Sequence, residues 1–220
     1  MAGEVLVREQ RVDKPGTRID ADAEIRVRNA SRFVGRGGYK LEAALQYFEI
    51  DPSGWTCVDI GASTGGFTDC LLQHGAARVH AIDVGHGQLD WKIRNDPRVL
   101  VREKLNARYL TPEDIPDPID LCVIDVSFIS LTLVLVPAAA LLHERGLLVA
   151  LIKPQFELSR EEVSKGGIVR DAAARARAVE KIETFVREDM RADWHGAFTC
   201  PIRGTDGNVE FLSCISPGRR

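Results

Sequence analysis

The chain has 220 residues, 45% apolar and 28% charged, which suits one sizeable core with a small appendage. With 29 Lys/Arg against 32 Asp/Glu the net charge is −3, no apolar leader precedes a cleavage site, and the longest apolar run, Phe128–Leu142, is too short for a bilayer and holds Pro137. Five cysteines without a C-x-x-C pair and five histidines without ligand spacing argue against disulfides and metal, so the expectation is a cytoplasmic chain of buried thiols with no metal and no membrane partner.

In chain order, residues 4–28 read as short strands, Glu4–Val7 and Ala23–Val27, about a turn at Lys14-Pro15-Gly16. Residues 1–40 carry nine basic against six acidic residues, a local +3 that leaves −6 for the rest. A basic end on an acidic body suits a polyanion, although the excess is that of an ordinary solvated surface. Asn29–Gly38, rich in Arg and Gly, reads as a linker, and Gly38–Ile50 as an amphipathic helix with Leu41, Ala44, Leu45 and Phe48 on one face.

From Trp55 onward strands and helices alternate. Strand Trp55–Ile60 runs into the glycine turn Gly61-Ala62-Ser63-Thr64-Gly65-Gly66-Phe67 and helix Gly66–His74. Then follow strand Arg78–Val84, a short helix near Gln88–Arg94, and strands Val99–Arg102 and Leu121–Val126. A helix ending near His143 is stopped by Gly146, and strand Leu147–Ile152 begins after it. A polar loop, Glu157–Arg170, precedes a long helix, Asp171–Met190. Two last strands, near Trp194–Ile202 and Val209–Ile215, flank the turn Gly204–Gly207. The pattern predicts an α/β doubly wound, mostly parallel sheet with an antiparallel edge.

The glycine turn suits a nucleotide-like ligand, because glycines let a ligand approach the backbone and the following helix offers free N–H groups. It lacks the G-x-G-x-x-G spacing of dinucleotide sites. Ligands of open α/β sheets bind outside the carboxyl ends of the strands. Reading those ends gives Asp59, Gly61, Asp83, Asn106, Asp125 and Lys153. Asp83 can accept from ribose hydroxyls, and Asn106 either reads an adenine edge or caps a turn. A lysine acts as a base only when burial or a second cation frees its amine, and Lys40 could be that cation if its helix packs beside strand Leu121–Val126. Such a Lys/Asp cluster could position and deprotonate an alcohol.

Asp59–Phe67, Arg36-Gly37-Gly38-Tyr39-Lys40-Leu41, Ile124–Ser130, Ile152-Lys153-Pro154-Gln155-Phe156-Glu157, Lys165–Asp171 and Gly207-Asn208-Val209-Glu210-Phe211 together closely resemble the TlyA family. These so-called hemolysin A proteins are ribosomal-RNA 2′-O-methyltransferases with an FtsJ-like catalytic domain. The resemblance covers residues 30–216 and implies a Rossmann-like, seven-stranded methyltransferase fold over residues 38–220, with 29–37 as linker. It implies S-adenosylmethionine as cofactor and a catalytic tetrad of Lys40, Asp125, Lys153 and Glu210, of which only Glu210 had no signal of its own. The donor-binding positions that go with it are Asp59, Gly61, Ala62, Ser63, Thr64, Gly65, Gly66, Phe67, Asp83, Val84, Asn106 and Asp125. The implied reaction methylates a ribose 2′-hydroxyl of ribosomal RNA or ribosomal subunits, a cytidine by the same resemblance. Lys153 would be the base, with Asp125 and Lys40 tuning it and Glu210 orienting the hydroxyl or a lysine. Arg32, Arg36, Arg170 and Arg203 are candidate phosphate contacts, and the target nucleotide would leave its helix to enter the pocket.

Residues 1–28 look like the second half of an S4 RNA-binding domain whose helical first half is absent, which puts independent RNA recognition by this segment in question. Two other classes stay open on the sequence alone. One is a nucleotide-cofactor oxidoreductase on a similar fold, against which the missing fingerprint speaks. The other is a membrane-active hemolysin, for which no spanning segment or basic amphipathic helix speaks. The oligomeric state is left open.

Overall fold

Alternating apolar strands and helices assemble, in the computed structural model, into a seven-stranded sheet covered on both faces. The structure describes residues 5–12, 14, 16–27, 31–204 and 206–218. The chain divides into two compact units, residues 1–32 and 33–220.

In the first unit β1 (Val5–Val7), β2 (Gln10–Arg11) and β3 (Ile25–Val27) form an antiparallel sheet of order β2-β1-β3. β2 was not expected. It exists because Arg8 and Glu9 take φ of 48° and 66°, closing a tight hairpin onto β1. Glu4, Pro15, and the linker positions Asn29 and Ala30 lie outside the described residues.

The second unit runs α1 (Gly37–Tyr47), β4 (Thr56–Ile60), α2 (Gly66–Gln73), β5 (Arg78–Asp83), α3 (Trp91–Arg94), β6 (Val99–Glu103), β7 (Ile119–Ile124), α4 (Leu135–Ala139), β8 (Leu142–Ile152), α5 (Pro154–Glu157), α6 (Ala172–Thr184), β9 (Asp193–Thr199) and β10 (Phe211–Ser216). The sheet order is β6-β5-β4-β7-β8-β10-β9. β4 to β8 are mutually parallel, and β10 pairs antiparallel with β8 and β9, so the expected doubly wound sheet with an antiparallel edge is the one that forms. The chain winds outward from β4 to β6, then returns to start β7 on β4's other side. That reversal opens a crevice past the carboxyl ends of β4 and β7.

Alternate residues of each strand feed opposite cores. Cys57, Val123 and Val149 meet Leu41, Leu45 and Leu71 of α1 and α2 on one face. Val58, Ile124 and Ala150 meet Leu135, Ile182 and Val186 on the other. Burying a leucine in this way is worth about 2 kcal/mol.

Three expectations are corrected. Phe33, inside the expected 29–37 linker, is only 1% exposed and packs in the first of those cores, so the second unit begins there. The helix expected to reach His143 ends at Ala139, and β8 starts at Leu142, with Gly146 inside it rather than ahead of it. The register slips there, from Ile119 opposite Leu142 to Leu121 opposite Leu147. A Cβ at Gly146 would stand 2.9 Å from the Ile119 carbonyl oxygen, so only glycine lets the strand close up. The helix expected through Met190 stays α-helical to Thr184 and widens to a π turn over Phe185–Asp189. Asp171 caps its start by accepting from Ala173 and Ala174 N–H.

Candidate active site

The glycine turn is set by β4 and β5. Gly61 and Ala62 N–H both donate to the Ile82 carbonyl, at 2.9 and 3.0 Å, and Ser63 N–H donates to Asp83 Oδ2 at 2.8 Å. Gly61 has φ +87°, and a Cβ there would lie 2.5 Å from the Asp125 carbonyl oxygen. The backbones of the β4 and β7 ends therefore touch, and the touching point divides two cavities.

The cavity of about 450 Å³ lies on the β5 side. It is lined by Ile60, Ile82, Val84 and Val126, with Asp83 and Asn106 as polar walls. Asp83 also accepts from Gly85 N–H at 2.7 Å, so both of its oxygens brace the turn. Asn106 caps the 3₁₀ turn 107–109, its Oδ1 accepting from Arg108 N–H.

The second cavity, of about 630 Å³, contains Lys40, Asp125, Lys153 and Glu210. Asp125 and Lys153 follow the last residues of β7 and β8. Lys40 comes from the first turn of α1, which stands against α2. Glu210 precedes β10, and the antiparallel register with Phe211 opposite Ile152 brings it beside the β8 end. The four side chains form two ion pairs. Lys40 Nζ donates to Glu210 Oε2 at 2.6 Å, with both groups buried. Lys153 Nζ stands 2.6 Å from Asp125 Oδ1, but out of hydrogen-bond alignment with it, and donates instead to Ser127 Oγ at 2.9 Å. Lys40, expected to act as a second cation on Lys153, thus has its charge matched by Glu210.

Of the other positions expected to bind a donor, Ala62, Ser63, Thr64, Gly66 and Phe67 line the larger cavity, and Ser63 lines both. Gly65, with φ +93°, serves as N-cap of α2 and lines neither. Asp59 is a correction, because its side chain points into the core, fully buried, with Oδ2 accepting from Thr68 Oγ1 at 2.7 Å. Burial pushes its carboxyl up to about 7 against the opposing Thr68 hydrogen bond, and the Asp125 and Asp83 charges add to the rise. Its other oxygen, Oδ1, has no partner.

Among the arginines, Arg36 and Arg203 line the larger cavity, and Arg36 donates to the Arg203 carbonyl at 2.7 Å. Arg170 is exposed outside both cavities, and Arg32 ends the first unit. The sequence reading missed Phe128. It is 92% exposed, holds φ +63°, lines both cavities and has its ring 5.2 Å from that of Phe156. A bulky residue held in the left-handed region is strained, and exposed strain marks function more often than stability. The signal was present as an aromatic just past a strand end. Phe156 in turn sits 6.0 Å from Lys153 Nζ.

Among the described residues no group of three or more His, Cys, Asp or Glu is arranged to hold a metal, and no helix is long and apolar enough to cross a membrane. All five cysteines are buried thiols. The smaller cavity thus sets an acid and an amide on apolar walls, while the larger one faces Arg36, Lys40, Lys153 and Arg203 with Asp125, Asp206 and Glu210.

Residues 33–216 match the FtsJ-like methyltransferase family. Among similar proteins, the provisionally named rRNA methyltransferase YqxC of Bacillus subtilis is 47% identical over 96% of this chain and 76% of its own length. The 16S/23S rRNA (cytidine-2′-O)-methyltransferase TlyA of Mycobacterium tuberculosis is 45% identical over 96% of this chain and 79% of its own. A solved structure from Streptococcus thermophilus, provisionally named a hemolysin, superimposes with a TM-score of 0.84 at 43% identity, covering 99% of this chain and 80% of that one.

Proposed function

Since the chain belongs to the FtsJ-like methyltransferase family, we propose that it moves a methyl group from S-adenosylmethionine to the 2′-hydroxyl of a cytidine ribose in ribosomal RNA. Family membership also sets aside the oxidoreductase alternative. The observation that carries the reading is the meeting of Lys40, Asp125, Lys153 and Glu210 on one cavity, as two ion pairs, beside a second cavity floored by the glycine turn.

The donor would lie along the turn, with Asp83 and Asn106 toward its nucleoside and the Asp125 side toward its sulfonium. What it supplies is a methyl carbon made electrophilic by positive sulfur. The chain supplies the rest. Lys153 would take the 2′-hydroxyl proton as the ribose oxygen bonds to the methyl carbon, whose bond to the donor's sulfur breaks in the same step. Asp125 holds negative charge beside the amine as it becomes an ammonium. The Lys40–Glu210 pair, with both side chains buried, fixes the cavity wall. Phe128 offers an exposed ring on which a base drawn out of its helix can stack, and Arg36 and Arg203 offer charge to the flanking phosphates. Holding hydroxyl, methyl and amine in line accounts for much of the rate. We assign the reaction to the cytoplasm, and residues 1–28 to an S4-like segment that adds phosphate contact.

Incubation of the chain with methyl-labelled donor and ribosomal subunits, followed by mapping of 2′-O-methyl positions, tests the reading. Label at a discrete cytidine ribose is expected. Label only on base nitrogens, or none on RNA, overturns it.

A further inference from the structure

Lys153 has two near neighbours that differ in kind. Asp125 Oδ1 is the nearer, at 2.6 Å, but lies out of hydrogen-bond alignment, so it contributes charge without fixing direction. Ser127 Oγ, at 2.9 Å, is the aligned acceptor. An amine that accepts a proton must aim its lone pair at the hydroxyl, and a lysine side chain with four rotatable bonds does not hold that aim unaided. A hydrogen bond donated to a fixed acceptor limits the rotation of the amine about its last bond to orientations that keep an N–H on that acceptor.

Ser127 is such an acceptor because its loop and the Lys153 segment are braced to each other. Glu157, three residues after Pro154 at the end of α5, accepts from Ser130 Oγ at 2.5 Å and from Leu131 N–H at 2.7 Å. Lys181 of α6 in turn donates to the Glu157 carbonyl at 2.7 Å and lies 3.3 Å from its carboxylate. The carboxylate is buried, so this brace is stiff. It ties the far end of the 127–131 loop to the helix that begins beside Lys153. Ser127 also stands where the two cavities meet, lining both.

We infer that Ser127 is a positioning residue for the methyl transfer: it takes one N–H of the Lys153 amine and so narrows the directions open to the lone pair, while Asp125 supplies the charge. The inference rests on the methyltransferase reading and on Lys153 as base. The Ser127 hydroxyl touches neither bond that forms nor bond that breaks, so its loss lowers turnover and leaves binding alone.

Steady-state methylation of ribosomal subunits by the whole chain, with donor affinity measured by titration calorimetry, tests it on Ser127→Ala and Ser127→Thr. Ser127→Ala is expected to lower kcat about 10- to 100-fold while KM for the subunits and donor affinity stay within about threefold. Ser127→Thr, which keeps the hydroxyl, is expected to restore most of that loss. Parental kcat in Ser127→Ala overturns the inference, as does a loss confined to KM or to donor affinity, or a Thr variant as slow as the Ala variant. Loss of donor binding in Ser127→Ala also overturns it, since the residue would then be holding the loop. A parental chain that labels no RNA overturns the methyltransferase reading itself, which separates the two failures.

Discussion

The cavity beside Asp83 and the cavity around Lys153 share Gly61, Ser63, Asp125, Ser127 and Phe128, yet they are made of different materials. The first has aliphatic walls and is shaped by backbone, with Asp83 spending its oxygens on Ser63 and Gly85 N–H groups. The second is made of charge, with two lysine–carboxylate pairs brought from α1, β7, β8 and the start of β10. A backbone-shaped pocket can select a ligand by fit at little electrostatic cost. A pocket of paired charges is expensive to desolvate and is kept where charge must move. The contrast separates holding a donor from moving a proton, and substitutions can be chosen to break one side, the other or both.

The shared point is the most damaging to touch. Gly61→Ala forces φ +87° on a residue with a Cβ and drives that Cβ against the Asp125 carbonyl. Left-handed strain and overpacking together predict a loss of about 2–5 kcal/mol of stability in urea unfolding, with donor binding and turnover both abolished. An alanine variant that still binds donor would show that the two cavities do not depend on this contact.

Lys153→Ala strikes the charged side alone. Turnover is expected to fall about a thousandfold, the scale of a lost general base, while calorimetric affinity for S-adenosylmethionine holds. Turnover at the parental rate would transfer the role of base elsewhere. Phe128→Gly touches only the mouth. With a ring 92% exposed and φ +63°, it is expected to lower turnover on ribosomal subunits about tenfold, the loss of one base stack, and to leave stability within about 1 kcal/mol because backbone strain is relieved. A large stability loss would mean the ring is structural.

The same contrast governs what is legible in the sequence. Asp125 and Lys153 end parallel strands, and the rule that such sheets bind ligands at their carboxyl ends picks them out locally. Glu210 stands just before an antiparallel strand, and it reaches the same edge only through the β10–β8 register, a pairing across roughly sixty residues that no local pattern encodes. Resemblance to TlyA proteins supplied it. Asp59 failed in the opposite sense. It lies one residue from a strand end, but its side chain takes the core face, where Thr68 meets it. The apolar stretch that runs up to Leu142 has no period to tell helix from strand, so the sequence predicts a helix as far as His143. Its end joins the sheet as the start of β8.

Asp59 also yields the smallest effect on turnover and the clearest effect of pH. Its carboxyl, ordinarily near 3.8, is pushed up to about 7 in the folded chain. Between those values the native state holds a proton that the unfolded state has released, so its contribution is complete below about pH 4 and is lost as pH rises through 7. The gap sets an upper limit of about 4 kcal/mol on that loss. Asp59→Asn keeps an oxygen for Thr68 and cannot ionise. It should match or slightly trail the parent at pH 4, where its amide gains no partner in place of the orphaned Oδ1, and exceed it at pH 8, with turnover little changed because Asp59 lines neither cavity. Urea midpoints of the two chains from pH 4 to 8 should therefore diverge steadily. If the two curves run parallel instead, the Asp59 carboxyl is ionised throughout, and the fold tolerates its buried charge without cost.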